Sequence, residues 1–441
     1  MRGGRASPPL LACLAAVHIA SVADGLVAGS RSRSGDALAA SSGPMDYFLP
    51  QFFAPQLTPP EFLLVSSATE RKVVYTEMKN FKSKTGRTWA LVDSGLQEPR
   101  GIAFDRQRGY LYVADRGAGR IFRYQVLVRR DPNGGLNSYS LVTDGVQITI
   151  RQVPNVEWVS VDVSGAVFYS DPGSQAIYKI PGAVAEAIGN GDYGAADLQV
   201  VTETELEASL YQEAQASLTQ SDQTRSQAQP TDAPDSLPRV YALYQGASNP
   251  QVSAPHGVVS DGLRLYWANG AGGASSGNVV MGEANPQPRL GALNATAPPR
   301  LPASVLSNAT ASPYGIAKSN TMIFFSTNVT GSGTVYGVSE SGDSHAFAQG
   351  LVEPRGLVWD GDQTVYVADQ ASNNVWSFPV GRIIDGAPLT RSVALSGAFG
   401  VALFSATDPA FQNEAGAHKL SVIAPLTLAF GAAWLGRIAA Q

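Results

Sequence analysis

Two segments far apart in the chain are nearly the same. They are Glu98-Pro-Arg-Gly-Ile-Ala-Phe-Asp105 and Glu353-Pro-Arg-Gly-Leu-Val-Trp-Asp360. Each runs into an apolar strand pattern, Tyr110-Leu-Tyr-Val-Ala-Asp115 or Thr364-Val-Tyr-Val-Ala-Asp369. A short polar turn and a second such run follow, Arg120-Ile-Phe-Arg-Tyr124 or Asn374-Val-Trp-Ser-Phe378. A unit of this kind cannot bury its faces alone, so it must stack against copies of itself.

Weaker copies lie between the two. Ala254-Pro-His-Gly-Val-Val-Ser-Asp261 precedes Leu263-Arg-Leu-Tyr-Trp-Ala-Asn269, and Ser312-Pro-Tyr-Gly-Ile-Ala317 precedes Met322-Ile-Phe-Phe-Ser-Thr327. Val156-Glu-Trp-Val-Ser-Val-Asp162 precedes Val167-Phe-Tyr-Ser-Asp171, with Trp158 where the others carry glycine. The glycine is expected to let the chain enter the first strand through a tight turn.

A sixth start, Gly397-Ala-Phe-Gly-Val-Ala-Leu-Phe404, has no strands after it. The missing strands stand at the other end of the chain: Glu61–Ser67, Lys72–Thr76 and Thr88–Val92. The pattern therefore predicts an all-β, six-bladed β-propeller over 61–405 with four strands per blade. Strand 400–404 joins the strands within 61–95 in one sheet, and closure removes the exposed edges of an open ring. Outer strands are expected at Val240–Tyr244 and Ser344–Ala348. The closed ring is expected to be a monomer.

The gap before the fourth blade holds an insertion, 182–238. It contains a predicted helix, Thr204–Ala214, and a Gln/Ser/Thr/Pro-rich tract too poor in apolar residues to order itself. Charged residues make up only 15% of the chain and glycine is abundant, which suits many short strands and turns. The net charge of −5 and the absence of a basic run argue against nucleic-acid binding.

Both ends read as targeting. Residues 1–23 combine Arg2 and Arg5, the apolar run Leu10–Val17 and a small-x-small site, Ser21-Val-Ala23, the form of a secretory signal peptide. The alternative is an N-terminal anchor, for which the run is short. The single cysteine, Cys13, lies inside this segment. A mature chain would then have no disulfide, no thiolate zinc site and no cysteine nucleophile. Residues 24–60 read as a linker and an aromatic, Pro-rich extension. Three glycosylation sequons, at Asn294, Asn308 and Asn328, agree with export.

After a polar spacer, 406–419, the tail 420–441 opens with 16 uncharged residues, Leu420–Leu435. Small residues Ser405-Ala406-Thr407, spacer and tail follow the pattern of a GPI attachment signal. A short transmembrane helix and an amphipathic end packed on the ring are the alternatives. Membrane attachment at the cell surface is preferred over free secretion.

The repeats resemble NHL repeats and the wider set of six-bladed propellers that includes gluconolactonase-like, strictosidine-synthase-like, paraoxonase-like and peptidyl-amidating-lyase proteins. The resemblance covers about residues 61–405. It implies that the residue between Pro and Gly sits near the central channel, which selects Arg100, Glu157, His256, Tyr314, Arg355 and Phe399.

Each chemistry of those relatives can be tested against this set. A gluconolactonase-type calcium centre needs several oxygen ligands, whereas the ring offers one carboxylate, Glu157, beside two arginines, so calcium is disfavoured. A zinc site of several histidines has only His256 and His345 to draw on. A strictosidine-synthase-like glutamate could only be Glu157, whose competing role is an ion pair with Arg100 or Arg355. His256 could act as a base with Glu157 or Asp261. Gly270–Gly277 lies between strands and reads as a hairpin turn. Asp115, Asp171 and Asp369 recur once per blade and are expected to cap turns. The resulting expectation is a binding module. Its channel mouth would engage an unknown protein or a small anionic ligand, without an evident cofactor. The rival is an esterase, lactonase or strictosidine-synthase-like hydrolase or lyase using Glu157 and His256.

Overall fold

The computed structural model describes residues 61–79, 82–83, 85–130, 139–219, 238–270, 277–287, 300–310, 312–327, 329, 331–382, 387–405 and 408–410. Short continuous apolar runs such as Phe62–Val65 mark strands covered on both faces, and here each blade is sandwiched between its neighbours.

Blade 1 contains β1 (Glu61–Ser67), β2 (Lys72–Lys79), β3 (Lys82–Ser83) and β4 (Trp89–Val92). The last two pair with different stretches of β2. Blade 2 contains β5 (Pro99–Asp105), β6 (Tyr110–Asp115), β7 (Arg120–Arg130), β8 (Tyr139–Thr143) and β9 (Ile148–Gln152), the last two again sharing one edge.

Blade 3 runs β10 (Trp158–Val161), β11 (Val167–Asp171) and β12 (Ala176–Ile180). The insertion follows, with α1 (Gly182–Asn190), β13 (Gln199–Val201) and α2 (Glu203–Thr219). It ends at β14 (Arg239–Gln245), which pairs with β12 and, in parallel, with β13. The expected helix is thus longer, and α1 and β13 were not anticipated. Glu203 pins α2 to the blade by accepting from Gln245 N–H at 2.7 Å. Most of the Gln/Ser/Thr/Pro-rich tract lies outside the described residues.

Blade 4 is β15 (Pro255–Ser260), β16 (Arg264–Asn269), β17 (Gly277–Glu283) and β18 (Ala303–Thr310). Blade 5 is β19 (Pro313–Lys318), β20 (Met322–Thr327), β21 (Gly333–Ser339) and β22 (Ser344–Leu351). Blade 6 is β23 (Pro354–Trp359), β24 (Thr364–Asp369), β25 (Asn374–Pro379) and β26 (Thr390–Ala394). The final strand, β27 (Ala398–Ser405), pairs antiparallel with β1 and becomes the inner strand of blade 1.

The six-bladed ring is therefore closed by the two ends of the propeller chain. Phe62, Leu63, Leu64 and Val65 are fully buried there, with Phe404 packed on Phe62 and Phe104. Burying each such side chain stabilises by about 1.5 to 3 kcal/mol, so ring closure is held by core packing as well as by the strand pairing.

The glycines of the inner strands have a different cause from the expected tight turn. Their φ values are not in the left-handed region. Instead the next blade passes too close for a side chain. A Cβ at Gly315 would lie 1.9 Å from the carbonyl oxygen of Arg355, and one at Gly400 2.4 Å from that of Arg100. The same carbonyl contact recurs at Gly257 and Gly356, while a Cβ at Gly101 would meet the Cα and indole of Trp158.

Candidate functional site

The two ends of the ring are built by different turns. The Pro-x-Gly end carries the loops that enter each inner strand and the turns between second and third strands. The opposite end carries the turns between first and second strands.

At the Pro-x-Gly end all six predicted residues converge on the axis and engage one another. Glu157, 0% exposed, is the centre. Its Oε1 accepts from Arg100 Nη1 and from the Tyr314 hydroxyl, and its Oε2 from Arg116 Nη1 at 2.9 Å. The His256 ring stacks on Tyr314 at 4.4 Å, and the Arg355 guanidinium lies over the same Tyr314 ring, 4.3 Å from its centre. Phe399 closes the circle beneath both arginines, 5.3 Å from Arg100 and 5.8 Å from Arg355. Trp158, in place of the sixth glycine, packs edge-on to Tyr314 just below.

The backbone beneath this plug is tied blade to blade. Ser66 Oγ donates to the carbonyl of Arg100 at 2.6 Å and accepts from Gly400 N–H at 2.7 Å. Ser326 does the same between Arg355 and Gly315, at 2.8 and 2.9 Å, and Ser170 Oγ donates to the His256 carbonyl. These serines stand in blades 1, 3 and 5, where blades 2, 4 and 6 have Ala114, Ala268 and Ala368. The three carbonyls they hold all belong to basic residues.

Charges in the plug are matched locally. Glu98 accepts from Arg100 Nε at 3.0 Å. Arg355 pairs with Glu353, and its Nε donates to Gln370 Oε1 at 2.9 Å. The expected choice of partner for Glu157 thus resolves to Arg100 and not Arg355. The second partner, Arg116, was missed because it lies in the turn after β6, outside the Pro-x-Gly positions. Arg100, Arg116 and Arg355 each have a carboxylate partner in the plug.

Burial opposes the charge on Arg100, but Glu157 overrides it and holds the guanidinium firmly protonated. Burial, with Glu157 beside it, raises the Tyr314 phenol far above its usual value. Burial pushes His256 down to about 4; Glu157 opposes this and Arg355, Arg100 and Arg116 add to it. His256 is neutral, and its buried Nδ1 makes no hydrogen bond.

The expected pairing of His256 with Asp261 does not occur. Asp261 lies beyond the far end of β15, about 16 Å away along an extended strand. Its Oδ1 caps the turn there, accepting from Leu263 and Arg264 N–H at 3.0 and 2.7 Å. The other propeller histidine, His345, stands on β22, the outermost strand of blade 5. No group of three or more metal-ligating side chains occurs among the described residues.

The per-blade aspartates do cap turns. Asp115 accepts from Gln97, Glu98 and Ala118 N–H at 2.7, 2.8 and 3.0 Å, and Asp369 from Val352 and Glu353 at 3.0 and 2.6 Å. Asp171 accepts from Gly173 and Ser174. A second series, Asp105, Asp162, Asp261 and Asp360, does the same on the opposite end.

Below Trp158 the channel opens to that opposite end as a cavity of about 170 Å³. Its walls include Ile102, Val159, Val258, Ile316, Leu357 and Val401. Of the sequons, Asn308 is exposed on β18, while Asn294 and Asn328 lie outside the described residues. Ser405, the first residue of the small triplet, belongs to β27, and its N–H donates to Asp408 Oδ2 at 2.8 Å. No helix among the described residues is long and apolar enough to cross a membrane.

No family profile and no curated protein matches the sequence. Solved structures do match in shape. A chain in the crystal structure of a nidogen/laminin complex is 13% identical, with a TM-score of 0.50, covering 78% of this chain and 98% of that one. A catalytically inactive variant of virginiamycin B lyase from Staphylococcus aureus is 12% identical, with a TM-score of 0.35, covering 75% and 74%. A gluconolactonase from Xanthomonas campestris is 11% identical, with a TM-score of 0.40, covering 78% and 87%. At 13% identity, the likeness to the nidogen/laminin chain gives the architecture alone.

Proposed function

We propose that this chain is an exported binding module, held at the cell surface by its C-terminal tail, whose Pro-x-Gly face receives a protein partner. The observation that carries the reading is the state of Glu157. Both of its oxygens are taken by Arg100, Arg116 and Tyr314, and none of its surface is open to a substrate. A general acid, base or metal ligand needs a free oxygen within reach of the reacting group. A small anion finds no unpaired cation among the three arginines, and a broad protein surface fits a stoppered mouth better. Arg116, whose side chain is 40% exposed, links the plug to that outer face.

The test is a screen of secreted and cell-surface ectodomains with the full chain, run in parallel with its Arg116→Glu variant. The expected result is a partner whose binding weakens at least tenfold in the variant. Hydrolysis of a lactone or an aryl ester that disappears in Glu157→Gln would favour the hydrolase reading instead.

A further inference from the structure

We infer that the end of the ring opposite the Pro-x-Gly face lies against the lipid bilayer, with the turns of blades 2, 3 and 4 touching it; this rests on the tail being a membrane anchor. The first observation is where the described chain ends. After β27 it turns at Asp408, and Ala410 N–H donates to the carbonyl of Arg106 at 3.3 Å, in the turn between β5 and β6. The chain thus leaves from the opposite end, beside blade 2. Residues 411–419 separate Ala410 from the uncharged run Leu420–Leu435. Nine residues span at most about 30 Å, so an anchored tail keeps this end close to the membrane.

The second observation is what this end presents. The two most exposed large apolar side chains among the described residues are Leu263 at 81% and Val163 at 76%. Val163 is in the turn between β10 and β11, and Leu263 in the turn between β15 and β16. Both turns are on the same end as Arg106, and Arg108 Nη2 ties blade 2 to blade 3 there by donating to Ser164 O at 3.0 Å. Protruding aliphatic side chains match the interface of a bilayer, where apolar tips enter the acyl boundary; the neighbouring Arg106, Arg108 and Arg264 stand within ion-pair distance of Asp408, Asp105 and Glu340. Capping aspartates stand in the turns of blades 2, 3, 4 and 6 alike at this end, so the contacting sector is set by the departure of the tail beside Arg106 and by the protruding Val163 and Leu263.

The experiment uses the full chain with Cys13→Ser, which leaves no native thiol. Single cysteines are introduced as Val163→Cys, Leu263→Cys and, on the Pro-x-Gly face, Val352→Cys. All three sites are solvent-exposed. Each is labelled with an environment-sensitive fluorophore and mixed with vesicles of phosphatidylcholine containing a minority of phosphatidylserine. Flotation reports anchoring, and quenching by nitroxide lipids reports orientation. The expected result is flotation of all three proteins, with a blue shift and quenching at 163 and 263 and neither at 352. Flotation with probes at 163 and 263 unquenched, or with 352 quenched equally, overturns the orientation and leaves anchoring intact. Failure to float overturns both.

Discussion

The Arg116 guanidinium of blade 2 reaches Glu157 of blade 3, Nη1 donating to Oε2 at 2.9 Å, while Arg100 and Tyr314 take the other oxygen. One buried carboxylate thereby joins blades 2, 3 and 5. Removing it takes the shared acceptor from Arg100, Arg116 and Tyr314, with only Arg100 keeping a second carboxylate, Glu98, among the hydrogen bonds described. Glu157→Ala is expected to lower stability by about 3 to 5 kcal/mol, the usual loss when one member of a buried pair is deleted. Arg116→Ala leaves Glu157 two donors and is expected to lose only about 1 to 2 kcal/mol. Urea unfolding of the two variants checks the order; equal losses would mean that Arg116 and not Glu157 is the centre.

Gly315 and Gly361 separate two reasons for glycine. Gly315 is crowded by the Arg355 carbonyl, whereas Gly361 has open space but a φ of 92°. Gly315→Ala is expected to cost about 3 kcal/mol through overpacking. Gly361→Ala is expected to cost about 1 to 2 kcal/mol through left-handed backbone strain alone. Thermal melts of the two proteins compare them directly, and the larger fall belongs to Gly315→Ala.

Trp158 seals the channel at the level where the other blades have glycine. Trp158→Gly restores the repeat pattern in sequence yet removes the indole that packs on Tyr314 and Phe399. A loss of about 3 to 5 kcal/mol is expected, as for other large-to-small changes in cores. An unchanged unfolding midpoint would show that the repeat pattern, and not the filled hub, sets stability.

How much of this was legible in the sequence follows from periodicity. The Glu-Pro-Arg-Gly copies at 98 and 353 and the orphan start at 397 were enough to place β27 beside β1, because each is a local pattern. The convergence of Arg100, Glu157, His256, Tyr314, Arg355 and Phe399 was legible through the repeat position they share. Arg116 was not, since it sits in a turn and reaches Glu157 only through the blade-to-blade packing. Nor was the cause of the inner glycines, because a carbonyl of the next blade leaves no mark near Gly315 in the sequence. The cap formed by Asp408 on Ser405 was also hidden, and it moves the end of the folded strand past the first residue of the small triplet.

Stability should depend on pH through His256. Its folded value of about 4 lies below its ordinary value near 6.5. The unfolded chain therefore binds the extra proton first. Stability is fully present above 6.5 and is lost as pH falls toward 4, by up to about 3 kcal/mol from this group. Chemical unfolding followed from pH 7 to 4 should show that slope in the native protein and a flatter one in His256→Phe. The same slope in both would assign it to other groups.

The sealed hub is tested most directly by following the His256 imidazole through an NMR titration of the intact protein. A neutral ring down to a midpoint of about 4, slow to meet solvent, is the predicted result. A midpoint near 6.5 with free solvent access would mean that the mouth is open and that Glu157 and His256 are available to a substrate.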